Sequence, residues 1–240
     1  MKRLLLGIAV AAVLEVVAAL PGAAAETAVF DLSVRGLRAG TLSFSGQEAG
    51  GKYAVTGRLE SAGLVGMLKK VRYDGAAQGA ARGGRFTPAR YSEKADTGKR
   101  RSESVMEYRR GVPQVKVYNP PREAGDGGLD PATQGGTVDP LTAMFAALRD
   151  VPKGRECNLS LQLFDGKRRS QVTLGKPKPD AGGVTCSGEY RRLEGFSAED
   201  MAEKTRFPFT LRLAPTGNGM MRVTEVQMDS LYGKASLKRR

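Results

Sequence analysis

The chain has 240 residues, with 38 Lys and Arg against 25 Asp and Glu for a formal net charge of +13, and it contains two cysteines, no histidine and no tryptophan. Without histidine there can be no Ser-His-Asp or Cys-His nucleophile, and with so few cysteines the usual zinc and transition-metal ligand sets are also lacking. Catalytic residues, a cofactor and a metal are therefore not expected.

The chain opens "MKRLLLGIAVAAVLEVVAALPGAAAETAVF". Lys2 and Arg3 precede an apolar run from Leu4 to Leu20, Pro21-Gly22 break it, and Ala23 and Ala25 fit the small-x-small rule for cleavage before Glu26. Glu15 interrupts the run, which argues against a membrane anchor. Residues 1–25 are thus expected to be a cleaved signal peptide. Residues 26–240 are expected to form a single β-rich domain, periplasmic or otherwise exported, with no transmembrane segment after cleavage. Cleavage removes two basic residues and one acidic one, so the mature chain stays strongly basic. In the cytoplasm that charge would suggest nucleic acid, but export and sparse aromatics disfavour it. The compatible partners are anionic lipid, acidic polysaccharide or another envelope protein. The competing reading is a solvated charged surface, because clusters such as "GKRRSES", "EYRRG" and "EYRRLEG" are short and scattered.

Past Glu26 the pattern has period two. Phe30, Leu32 and Val34 alternate with polar residues, as do Leu42 and Phe44, then Tyr53, Val55 and Leu59, and near the C-terminus Phe207, Phe209, Leu211 and Leu213. This is the signature of antiparallel strands with one wet face. Turn residues recur about every ten positions, as in sandwiches and barrels. The expected fold is all-β: a strongly curved antiparallel sheet or barrel-like domain with one or two short packing helices. Gly63, Gly75, Gly79 and Gly83 would let the sheet bend. "GLVGMLKK" (63–70) reads as a helical turn. The Pro/Gly-rich stretch 119–138 reads as a long surface loop. In "VDPLTAMFAALRD", Asp139 is an N-cap, Pro140 takes the first helical position, and Leu141, Met144, Phe145 and Leu148 form one apolar stripe. "SAEDMAEK" (197–204) reads as a second helix capped by Ser197, with Asp200 three residues on.

Between these helices lies "ECNLSLQLFDGKRRSQVTLGK" (156–176). A two-residue turn at Asp165-Gly166 would set Leu163 against Arg168, Leu161 against Ser170 and Cys157 against Leu174. Arg168 and Ser170 would make part of this face wet. Cys157 and Cys186 both look inward on this count, and in an oxidising compartment one intramolecular disulfide is expected; two buried thiols are the alternative. No C-x-x-C is present to suggest redox activity.

No phosphate-binding G-x-x-x-x-G-K-[ST] and no Ser-x-x-Lys occurs, and "DGGLD" (126–130) lacks the alternating ligands and closing glutamate of a calcium loop. The segments "GLVGMLKKVRYDGAAQGAA", "FTPARY", "TVDPLTAMFAAL", "LFDGKRR" and "CSGEYRRLEGFS" stand in an order that resembles the exported bacterial proteins of domain of unknown function 3108, from Val29 to Leu237. The resemblance implies an exported, curved or barrel-like β domain and supplies no catalytic residue. Two functions fit: a non-catalytic envelope protein that holds an apolar or anionic ligand or acts as a scaffold, and a hydrolase that uses acidic residues only.

Overall fold

The computed structural model describes residues 25–63, 66, 70–121 and 128–240. The signal peptide expected at 1–25 therefore lies almost wholly outside the described residues, and so does most of the helical turn expected at 63–70. Alternating side chains make strands of most of the remainder: β1 (Glu26–Val34), β2 (Leu37–Ala49), β3 (Lys52–Ser61), β4 (Arg72–Arg82), β5 (Arg85–Asp96), β6 (Arg101–Arg109), β7 (Val112–Asn119), β8 (Val151–Pro152), β9 (Ser160–Phe164), β10 (Arg169–Asp180), β11 (Gly183–Glu194), β12 (Arg206–Pro215), β13 (Met220–Ser230) and β14 (Gly233–Arg239). Helix α1 (Pro140–Leu148) follows a short 3₁₀ turn at Pro131–Thr133, and α2 (Ala198–Glu203) precedes β12.

One antiparallel sheet holds all the strands, in the order β7-β6-β5-β4-β3-β2-β1-β14-β13-β12-β11-β10-β9, with β8 added beside the start of β13. β1 pairs with β14, Leu32 opposite Leu237, so the N- and C-terminal strands lie at the middle of the sheet. Bulges bend the strands at Leu32/Ser33, Gln78/Gly79, Val105/Met106, Leu174/Pro177 and Arg212/Leu213. The sheet is strongly curved but not closed: among the described residues no ladder joins β7 to β9.

These two free edges are joined in sequence by the segment that fills the gap between them. Gly136 N donates to Gly111 O beside β7, while Val138 bridges β9, its N donating to Gln162 O and its O accepting from Phe164 N, both at 2.9 Å. Gln134, Thr137 and Val138 are buried. The second half of the stretch read as a surface loop is therefore a seam. Its backbone covers sheet edges that would otherwise expose unpaired donors and acceptors.

From the seam the chain turns into the interior as α1. Asp139 Oδ1 accepts from Thr142 N at 2.8 Å, which caps the helix, and Pro140 occupies the first turn, where its missing N–H costs nothing. Phe145 is the hub of the core: its ring meets Phe44 at 5.7 Å and Phe86 at 6.0 Å edge-on, and Tyr53 at 6.5 Å stacked. Each such pair adds about 0.5–1.5 kcal/mol beyond the area it buries. Two glycines let the helix sit this close: a Cβ at Gly46 would lie 2.5 Å from the Phe145 ring, and one at Gly57 would lie 2.7 Å from Leu141 Cδ1. Helix α2 is a short surface turn held by a capping box between Ser197 and Asp200.

The outer face carries cross-strand ion pairs such as Arg58–Asp74 at 2.6 Å, Arg90–Glu107 at 2.8 Å and Lys94–Glu103 at 2.7 Å. Exposed pairs of this kind contribute little to stability, about 0–1 kcal/mol each. They give part of the charge excess a solvated, structural place.

Candidate functional site

Helix α1 fills one side of the interior and leaves the other side open. Its large side chains Leu141 and Phe145 pack against β2–β5, whereas the small Ala146 and Ala147 line the open side. The result is a cleft of about 880 Å³. Leu159 and Leu161 line it beside β9, Leu174 comes from β10, and Leu211 and Leu213 come from β12. The bulges at Leu174 and Leu213 fall at this wall, where the strands are re-aimed. Leu159, Leu161 and Leu174 are only half-buried.

The hairpin supplying this wall differs from the expected one in register. Phe164 pairs with Arg169, Leu163 with Ser170 and Leu161 with Val172, two residues beyond the expected partners. The cause is the Asp165 side chain, whose Oδ1 accepts from both Lys167 N and Arg168 N and so builds a four-residue loop over 165–168. A shift of two keeps every side chain on its expected face. It also changes the neighbours: Leu163 is buried in the core and does not line the cleft, and Ser170 is buried where a wet position was expected. The Arg168 guanidinium lies 5.2 Å from the Phe196 ring centroid.

Cys157 is not on a strand opposite Leu174. It sits in the loop before β9 with a positive φ of 59° and faces β11. Cys157 and Cys186 lie at disulfide distance, with sulfurs 1.95 Å apart and Cα atoms 5.3 Å apart. Cys186 stands opposite Leu211 in the β11–β12 ladder, so the pair joins the loop of the cleft mouth to the strands of its floor. From the same loop Arg155 Nη2 donates to Gly83 O at 3.3 Å and spans to the β4–β5 turn.

The polar residues gather where α1 ends. Arg149 follows the helix, its guanidinium 5.3 Å from the Phe86 ring centroid and its Nη1 3.4 Å from Glu48 Oε2. Arg85 and Arg155 are exposed on the same cleft. Among the described residues, Glu48 is the one carboxylate lining it. Away from the cleft, burial shifts the carboxyl groups of Asp139, Glu93 and Glu26 upward. Asp139 is raised to about 6, against the lowering effect of its bonds from Thr142. Glu93 is raised although Tyr91 Oη donates to it at 2.7 Å. Glu26 is raised beside Asp150 and Arg239. Paired carboxylates across the cleft, which a hydrolase using acidic residues alone would require, are thus not assembled by the residues that line it. None of the cleft arginines carried a sequence signal; only the alternation of Leu159, Leu161 and Leu163 pointed to this wall.

A curved, barrel-like β protein with a helix plugging half of its interior is the class this fold and cleft define. The family model for "Protein of unknown function (DUF3108)" matches residues 29–176, more than half of the sequence, and the chain belongs to this family. Of the segments that carried the resemblance, "CSGEYRRLEGFS" lies beyond the matched range. Among solved structures, the chain is similar to a beta-barrel-like protein of domain of unknown function DUF1849 from Brucella abortus, with 15% identity, a TM-score of 0.51, and coverage of 90% of this chain and 96% of that one. At that identity the likeness concerns the fold alone. No curated protein matches. Among the described residues no helix is long and apolar enough to cross a membrane.

Proposed function

We propose that this is an exported envelope protein without catalytic activity, whose cleft holds one apolar chain. The observation that carries the reading is the half-exposed leucine wall formed by Leu159, Leu161 and Leu174, in an interior that is otherwise filled by Phe145 and its neighbours. A cleft of about 880 Å³ lies in the range of small-molecule sites, which are mostly apolar with a few placed polar groups. The cysteine pair at disulfide distance is compatible with an oxidising compartment, and the leader read in residues 1–25 would deliver the chain there.

A neutral apolar dye, N-phenyl-1-naphthylamine, tests the reading. Its fluorescence should rise and saturate at one dye per chain, and Leu161→Trp, which fills the cleft, should abolish the rise while the protein stays folded. Equal signal from the folded variant, or no saturable signal from the parent, would leave a scaffold as the function.

A further inference from the structure

We infer that the chain held in the cleft ends in an oxyanion, a carboxylate or a phosphate, and that Arg149 binds this head. The inference rests on the apolar-chain reading above and adds the polar end of the ligand. The Arg149 side chain is only 16% exposed, and its Nε is buried with no protein acceptor. Its contacts to Glu48 Oε2 and to Asp150 O are both long, at 3.4 Å. Glu48 Oε2 is likewise buried and accepts no hydrogen bond from the protein. Buried polar atoms in folded proteins almost always have partners, and a charged group left without one is costly. Here a donor and an acceptor, both on side chains that line the cleft, are left with unused capacity.

The planar guanidinium fork fits a carboxylate or phosphate through two parallel bonds. The end of a helix by itself repels an anion. The cleft reverses that sign, since among the described residues Arg85, Arg149 and Arg155 stand there against Glu48 alone. Glu48, Arg85 and Arg149 belong to β2, the start of β5 and the end of α1, whereas Leu161, Leu174, Leu211 and Leu213 come from β9, β10 and β12; Arg155 and Leu159 share the loop before β9. Arg85 and Arg149 thus stand on different elements from the β9, β10 and β12 leucines, so one cleft offers a charged group and an apolar wall, as a single-tailed amphiphile requires. Glu48 is the internal stand-in for the head: it occupies the arginine loosely, and a ligand oxyanion would displace it.

Calorimetric titration of the full exported chain with decanoate, decyl phosphate and decanol tests the assignment. At least one of the anions should bind about tenfold tighter than decanol, the gain expected of charge-assisted hydrogen bonds. The tighter of the two names the head. Arg149→Gln should bring that anion to the affinity of decanol and leave decanol unchanged, and Glu48→Gln should tighten the anion several-fold by removing its competitor. Added salt should weaken the anion and not decanol. Should Arg149→Gln fail to fold, because the side chain packs on Phe86, the exposed double change Arg85→Gln with Arg155→Gln should still weaken the anion and flatten its salt dependence. If decanol and both anions bind alike and insensitively to salt, the head assignment is wrong and the apolar-chain reading stands. If none of the three binds, the apolar-chain reading itself fails.

Discussion

Leu161 and Leu163 are two positions apart on the same face of β9, and the structure gives them different work. Leu163 is buried in the core, while Leu161 is half-buried on the cleft wall. Leu163→Ala should cost about 2–5 kcal/mol, because the packed neighbours cannot close the void. Leu161→Ala should cost about 1 kcal/mol in the ligand-free protein, since its side chain already faces open space. Urea unfolding of the two variants checks the pair, and equal large losses would mean that no open cleft exists. Asp139 offers a second test. Burial raises its carboxyl from 3.8 to about 6 in the folded state. A carboxyl that binds its proton more tightly when folded adds stability below its unfolded pKa, and this is lost as pH rises through the folded one. A shift of this size corresponds to about 3 kcal/mol. Relative to Asp139→Asn, which keeps a capping oxygen, the parent should therefore lose stability between about pH 4 and pH 6. Glu26 and Glu93 are raised by burial too, so the difference between parent and variant isolates Asp139. A difference that stays constant over this window would contradict its burial as a charged group.

At the scale of elements, local signals were legible and long-range ones were not. Asp139-Pro140 and the stripe Leu141, Met144, Phe145, Leu148 specify α1 within one turn of chain, and Ser197 with Asp200 specifies α2 in the same way. The hairpin register was missed because Asp165 has two uses in such a turn: it suits a two-residue turn next to glycine, and its side chain can also cap a longer loop, which is what the Lys167 and Arg168 amides select. The positive φ of Cys157 lay outside any alternation pattern. The close seat of α1 gives a further prediction. Gly46→Ala should cost about 1–3 kcal/mol, because a Cβ there meets the rigid, buried Phe145 ring. Gly57→Ala should cost less, because it meets only a terminal methyl of Leu141 that can rotate away. Thermal unfolding of both variants checks the order, and the reverse order would place the helix differently. The cysteines test the other side of the cleft. A bond closing the stretch between Cys157 and Cys186, 29 positions apart, should stabilise the fold by roughly 3–4 kcal/mol on the chain-entropy model. Thiol titration of the unfolded, unreduced protein should find none free; two per chain would show that the bond is not made.

For the molecule as a whole, alternation identified a curved antiparallel sheet, but not where it ends. β7 and β9 are its free edges, and they flank in sequence the segment that seals them and then plugs the interior. Proline and glycine in 119–138 describe an irregular backbone, which a buried seam needs as much as a surface loop does, so composition could not tell one from the other. Alternation pointed to the leucine wall of the cleft, but its polar part was hidden, because its arginines are brought together by separate elements. This space should be occupied in the protein's own surroundings. Native mass spectrometry of the full-length protein, purified from the cells that make it, is the measurement. A discrete adduct of one small amphiphile per chain should appear, removed by organic extraction and absent from folded Leu161→Trp. A single mass equal to that of the bare chain, before and after extraction, would contradict it.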